Sequence, residues 1–468
     1  MNNQYPVKKN QVYPLDVTSL AFGGQGVARI DDYVVFIKRA LPGDNVNARI
    51  TKRKKSYAEA RIVSFNKKSD QRIDPQCKFF DSCGGCTWQN LIYKDQLAYK
   101  TQIVSDSVSR ISGLKETTVK PIIPSESFFH YRNKMEFSFA EKKWLTFEEL
   151  ENKSISKDFA LGLHVPGTFD KIVHIDKCLL QSNEASGILD FVSKYSQENN
   201  LTPYGIRSHE GLLRFLVIRQ SHYNKEIMVN IVTAYKDKKI QELADELLDR
   251  FENIAGIVNN INSRKAQIAV GEEEILLAGK DWIEDKIGPF VFRISANSFF
   301  QTNTAQAELL YETAINFADI NPDETVWDLY SGTGTISLFL AQKAKNVIGF
   351  EITQSSVENA FENAEKYNVK NVDFVAGDVI NNMETSQEKV DVIVTDPPRA
   401  GMHEKVVLSI LKIAPKKIVY VSCNPTTMAR DLKLLEEKYT VDIIQPVDMF
   451  PQTYHIECVT RLSLKNNK

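Results

Sequence analysis

No run of about 18 apolar residues occurs in the 468-residue chain, so a membrane-spanning helix is not expected. The opening MNNQYPVKKN lacks an apolar signal core, which argues against secretion and makes the cytoplasm the expected compartment. Internal repeats and low-complexity tracts are also missing, so a repeat architecture is not expected. There is no GxxxxGK[ST] signature, which counts against a nucleotide hydrolase. Cysteine is scarce, with six residues, yet Cys77, Cys83 and Cys86 fall within ten positions. In a cytosolic chain such clustering points to a metal or cluster site rather than to disulfides.

What is present fits a globular protein of two to four domains, at roughly 150 residues each. Hydrophobic content of 43% and charged content of 25% are ordinary. The net charge of −2 hides an asymmetry: residues 1–64 hold 11 Lys and Arg against 5 acids. A leading module of charge +6 on an otherwise acidic chain suggests a polyanionic partner; the plainer alternative is a solvated loop around TKRKK.

Residues 11–64 read as five short strands punctuated at FGGQG and LPGD, the pattern of a small barrel of the OB type. Residues 71–90 are expected to be irregular, and 91–112 helical by apolar spacing. From about 128 to 290, strands such as YRNKMEFSF and RFLVIRQ mix with the amphipathic helix IQELADELLDRF, and KKWLTFEELENKSISKDFA reads as a surface insertion. From 304 onward helices and strands alternate, which predicts a parallel sheet with helices on both faces. The expected domains are 1–70, 71–290 and 291–468, with overall class α/β.

The sharpest local signal is Trp327-Asp328-Leu329-Tyr330-Ser331-Gly332-Thr333-Gly334-Thr335. An apolar strand runs into a glycine turn that opens a helix, and glycine lets backbone approach a ligand without a Cβ clash. Glu351, 17 residues beyond Gly334, ends the second strand, where a carboxylate can accept both ribose hydroxyls. NAD binding is the competing reading, weakened by Ser337 in place of the third glycine of GxGxxG; a βα turn without a ligand is the other. Asp378 closes the third strand, where adenine contacts are expected. Asp396 ends the fourth, fixed at the rim by Pro397 and Pro398; it faces a substrate or simply caps the strand. Together these motifs resemble a class I S-adenosylmethionine methyltransferase domain.

The fifth strand, KIVYVS, ends at Cys423-Asn424-Pro425, again at the carboxyl edge. A packed cysteine is the bland reading; a nucleophile is the sharp one. A thiolate added to carbon 6 of uracil makes carbon 5 electron-rich enough to attack a sulfonium methyl, dividing one hard step into easier ones. A base must then remove the carbon 5 proton. Glu457 is the candidate, since a carboxylate in an apolar setting has a raised pKa, with His455 as rival and a surface strand acid as the plain alternative.

Cys77, Cys83 and Cys86 can offer three thiolates from one loop, made tight by Gly84 and Gly85. A fourth must come from Cys178, 92 residues further on, or Cys458. Four thiolates suit zinc or an iron–sulfur cluster. Basic and aromatic residues also interleave over Phe128-Phe129-His130-Tyr131-Arg132-Asn133-Lys134, as an RNA-contacting segment or a half-buried strand.

SFFQTN (298–303), DLYSGTGT, DPPRAG, SCNPTT and HIE, with the cysteine spacing and the leading barrel, resemble the bacterial RNA uracil-5 methyltransferases over nearly the whole chain. Most similar are the 23S ribosomal RNA enzymes that carry a TRAM domain and a [4Fe-4S] cluster. The resemblance implies that Gln301, Tyr330, Gly332, Glu351, Asp378 and Asp396 line the S-adenosylmethionine site, Asp396 also bordering the uracil. It further implies Cys423 as nucleophile, Glu457 as base, and Cys77, Cys83, Cys86 and Cys178 as cluster ligands. It implies that the helical stretch near 95–123 packs with the C-terminal domain. The expectation is a monomeric enzyme acting on 23S ribosomal RNA with a flipped or single-stranded target and phosphates tracked by Lys52–Lys55. The alternatives are a transfer RNA T-loop enzyme, a noncatalytic RNA-binding or assembly factor, and a small-molecule methyltransferase.

Overall fold

The computed structural model describes residues 5–152, 154–386 and 388–466. They divide into two compact units: Met1–Asp74, Thr87–Glu126 and Leu309–Lys468 in the first, Pro75–Cys86 and Ser127–Glu308 in the second. These bounds differ from linear cuts at 70 and 290. The chain from Thr87 to Glu126 belongs with the first unit because its helix, Tyr93–Ser107, packs into the same core as the C-terminal strands. No helix among the described residues is long and apolar enough to cross a membrane.

The N-terminal sheet has six strands, where five were expected. Its hydrogen-bonded order is Val12–Asp16, Asn45–Arg53, Tyr57–Lys67, Tyr33–Lys38, Gly26–Ile30 and Ser19–Leu20. The first expected strand, read over VYPLDVTSL (12–20), is split in two, Val12–Asp16 and Ser19–Leu20. The two ends of the order are thus joined through Val17 and Thr18 and the sheet returns on itself. Alternating Val46, Ala48 and Ile50, with Val35 and Ile37, fill its core. The turn from Arg53 to Tyr57 carries Lys54 and Lys55 into solvent.

The large sheet of the first unit runs Val372–Ala376, Asn346–Glu351, Thr325–Leu329, Val392–Thr395, Lys417–Ser422, Glu457–Leu464, Tyr439–Val447 and Thr118–Val119. The first five are mutually parallel. Glu457–Leu464 enters antiparallel, beside Lys417–Ser422. Covered by helices, the parallel strands read as near-continuous apolar runs such as Val392-Ile393-Val394. Their carboxyl ends form one edge.

The second unit contains an eight-stranded mixed sheet. Leu213–Gln220 and Ile227–Thr233 are buried almost throughout, and the helices Asn183–Glu198 and Lys238–Arg250 contribute Ile188, Val192, Leu243 and Leu247 to its core. The expected insertion is not wholly external: Lys143–Trp144 pairs with Ile172–Val173 at the sheet edge.

Candidate active site

The five parallel strands deliver their terminal residues to one edge, where ligands bind in open α/β sheets. Thr325–Leu329 runs into Tyr330, a non-glycine residue at φ 65°, a conformation tolerated only where the surroundings hold it. Its half-buried hydroxyl is pushed up to about 12 by burial. Gly332 and Gly334 follow at φ 56° and 79°. A Cβ on Gly332 would meet nothing within 4 Å, whereas one on Gly334 would lie 2.8 Å from the Phe374 ring. The turn is thus open on the Gly332 side and packed on the other.

Glu351 closes over this turn. Its carboxylate accepts the Gly332 N–H at 3.0 Å and the Thr353 N–H at 2.8 Å, which holds it beside the open glycine with acceptor capacity to spare for a diol. This cradle fits a nucleoside cofactor. Asp328, within the strand, is buried and accepts the Ser337 hydroxyl at 2.5 Å. Burial raises its pKa to about 7 despite that bond. Asp378 has a further duty: it is exposed and caps the helix Val379–Thr385, accepting the N–H groups of Ile380 and Asn381 at 3.0 and 3.1 Å.

Cys423 follows the strand Lys417–Ser422 and is half-buried. The register pairs Ser422 with Cys458, so the next step sets Cys423 opposite Glu457. Glu457 is buried, and burial, reinforced by the Asp396 charge, raises its pKa well above the usual carboxylate range. Burial also takes Asp396 to about 7. The Cys423 thiol is pushed up to about 11 by burial, then by Glu457 and Asp396, with Arg399 opposing. At rest it is therefore a thiol. Cys458 is fully buried and packs in the core.

The loop before Glu457 is clamped by the helix Tyr93–Ser107, a role that apolar spacing does not reveal. Buried Gln96 exchanges two hydrogen bonds with Gln452, at 3.0 and 3.1 Å. Lys100 and Asp448, both without exposed side-chain surface, form an ion pair at 2.5 Å, and Tyr93 donates to Asp448 at 2.8 Å. His455, the rival base, is engaged by the Arg399 guanidinium.

Gln301 lies in the second unit, where its carbonyl accepts from Asn133 Nδ2 at 2.8 Å. The four expected ligand cysteines lie there too, and Cys77, Cys83 and Cys178 border one core. Gly85 N–H reaches Cys83 Sγ at 3.3 Å, and the N–H groups of Leu180 and Gln181 are directed at Cys178. Among the described residues, no three His, Cys, Asp or Glu side chains are grouped as ligands of a metal ion. Three of the four expected thiols thus border one core, with Cys77 near enough to Cys178 to act on its charge.

Comparison with known proteins adds identity to this geometry. Residues 215–465 match the family model described as tRNA (uracil-5-)-methyltransferase, and residues 6–63 match the TRAM domain. An uncharacterized RNA methyltransferase of Chlorobaculum tepidum is 43% identical over 429 residues, 89% of each chain. One from Clostridium tetani is 38% identical over 475 residues, the full length of both. Among solved structures, the Pyrococcus abyssi tRNA (uracil-54, C5)-methyltransferase in complex with S-adenosyl-L-homocysteine matches with a TM-score of 0.74 and 28% identity, covering 96% of this chain and 99% of its own.

Proposed function

Because the chain belongs to the tRNA (uracil-5-)-methyltransferase family, and so is an S-adenosylmethionine-dependent RNA methyltransferase, we propose that it methylates carbon 5 of uridine in 23S ribosomal RNA through a covalent adduct on Cys423. The observation that carries this reading is the meeting of Cys423, Glu457 and Asp396 at one sheet edge, beside the glycine turn that Glu351 closes.

The cofactor supplies an electrophilic methyl group; Gly332, Tyr330, Glu351 and Asp378 are the residues assigned to hold it. Cys423, once its thiol proton has passed to solvent, bonds as thiolate to carbon 6 of the uracil while the carbon 5–carbon 6 π electrons shift toward the carbon 4 oxygen. Carbon 5 then takes the methyl group as the methyl's bond to the donor sulfur breaks, Glu457 takes the carbon 5 proton, and the carbon 6–sulfur bond breaks to restore the ring double bond and return the thiolate. Asp396, near neutrality in its pKa, is suited to hydrogen-bond the uracil edge. A buried, raised carboxylate such as Glu457 is a competent proton acceptor once ionised.

Cys77, Cys83, Cys86 and Cys178 are assigned to a [4Fe-4S] cluster. N–H groups directed at Cys83 and Cys178 suit sulfurs that would serve as cluster ligands. The cluster would tie the 77–86 loop to Cys178. Iron and sulfide analysis of anaerobically purified protein tests this against zinc.

A second reading, a transfer RNA substrate, is favoured by the Pyrococcus neighbour, itself a tRNA (uracil-54, C5)-methyltransferase. Its match spans 96% of this chain, so a barrel alone does not separate the two. Mapping 5-methyluridine in total RNA from cells with and without the gene decides. Loss from 23S ribosomal RNA is expected; loss from transfer RNA alone selects the second reading, and loss from neither overturns both.

A further inference from the structure

Three loops meet at Arg399. Its own loop, Asp396-Pro397-Pro398-Arg399, leaves the fourth parallel strand. Its carbonyl accepts from Asn424 Nδ2 at 3.2 Å and from the Thr427 hydroxyl at 3.4 Å, which fastens it to the loop of Cys423. Its guanidinium donates to the His455 ring, which fastens it to the loop of Glu457. His455 in turn lies against the Tyr454 ring at 4.2 Å and edge-on to Phe450 at 6.0 Å. Tyr454 meets Phe22 of the N-terminal barrel at 5.5 Å, and its N–H donates to the Thr87 hydroxyl at 3.0 Å.

We propose that His455 is a positioning residue: as a neutral imidazole it accepts a hydrogen bond from Arg399 and holds that guanidinium beside Cys423 and Glu457. Three features of the chain carry this. A guanidinium offers five donors and no acceptor, so the shared proton belongs to Arg399 and the lone pair to His455. A ring nitrogen committed in this way is not available to take a proton from a substrate carbon. Arg399 is exposed on a long side chain, and without its partner it would spread over many rotamers. The groups facing the thiol are the carboxyls of Glu457 and Asp396, which oppose its ionisation, and Arg399, which favours it. Holding Arg399 in place therefore sets how readily Cys423 becomes a nucleophile. The aromatic packing on His455 fixes the ring, and Phe22 links that ring to the barrel.

This inference rests on the nucleophile reading of Cys423, and its test is chosen to fail separately. The alkylation of Cys423 by iodoacetamide, followed across pH by peptide mass spectrometry, needs neither RNA nor cofactor. For His455→Ala the midpoint is expected to move up by roughly one pH unit. Turnover on RNA is expected to fall about tenfold or more with KM little changed, and His455→Asn, which keeps an acceptor, should recover much of both. Arg399→Gln should reproduce the shift, and His455→Ala on that background should add nothing. An unmoved midpoint in folded His455→Ala overturns the proposal. Loss of turnover with an unmoved midpoint would make His455 the base instead. Failure of the wild type to methylate any uridine would sink the functional reading while leaving the alkylation comparison intact.

Discussion

Cys423 lies one residue past the last strand pair, Ser422 with Cys458, and so stands across from Glu457 at the sheet edge. Cross-strand neighbours share a face, so thiol and carboxyl lie on the same face from adjoining strands. Cys423→Ala should abolish turnover, by at least about a thousandfold, and should form no covalent complex with 5-fluorouridine RNA on a denaturing gel. Glu457→Gln should still form the bond to carbon 6 but release it slowly, with turnover down about 10²–10⁴-fold and adduct visible with ordinary uridine. An adduct in Cys423→Ala would remove this sulfur from the chemistry.

Asp328 predicts how stability varies with pH. Its pKa in the fold is raised to about 7, above that of an unfolded aspartate. The folded state therefore holds a proton that the unfolded chain gives up near pH 4. The associated stability is fully present below pH 4 and is lost as pH rises through 7, a change on the order of a few kcal/mol. Asp328→Asn keeps an acceptor for Ser337 and removes the ionisation. Its melting temperature relative to wild type should rise by a few degrees between pH 5 and pH 8. A constant difference across that range would show that Asp328 ionises without penalty.

Much of the catalytic sheet was legible because buried parallel strands are apolar runs and their ends are marked by turn residues. Leu329, Thr395 and Ser422 each close such a run just before Tyr330, Asp396 and Cys423. The TRAM segment was legible from its alternation and glycine turns, except for the break at Val17 and Thr18 that divides its first strand. The clamp made by Gln96 and Lys100 was not. Their partners lie 356 and 348 positions away, and periodicity reports where apolar side chains point, not which polar ones are buried. Asp378 before a short helix could have been read as a cap. Nothing near Arg399 announces His455, 56 residues downstream.

The two glycines of the cofactor turn should separate binding from folding. Gly332→Ala would place a methyl where the chain leaves open space, at a left-handed conformation costing about 1–2 kcal/mol. The fold should survive while affinity for S-adenosylhomocysteine drops about tenfold or more by calorimetry. Gly334→Ala would press its methyl to 2.8 Å from Phe374 and 3.0 Å from Ala360. Its main effect should be a lower melting temperature. Equal losses of stability in the two variants would mean that the open side of the turn is not a binding surface.

The Lys100–Asp448 pair should couple stability to catalysis. Neither side chain has exposed surface, so removing one partner leaves a charge buried without compensation, at a cost of about 3–5 kcal/mol. Burial alone pushes the Lys100 ammonium down from its ordinary range, and Asp448 acts against that shift. Asp448→Asn should therefore lower the urea midpoint sharply, and the loss should shrink at high pH, where Lys100 sheds its proton more easily. The double replacement Lys100→Met with Asp448→Leu should recover part of that stability, since apolar substitutes of similar size often match a buried ion pair, less the cost of the acceptor that Tyr93 loses. Lys100 also donates to the Phe450 carbonyl at 3.0 Å, a bond that a thioether side chain has no proton to make. The stable double variant should therefore keep S-adenosylhomocysteine affinity yet turn over slowly, because the loop leading to Glu457 has lost that tie. Full turnover in that variant would show that the buried charge serves folding alone.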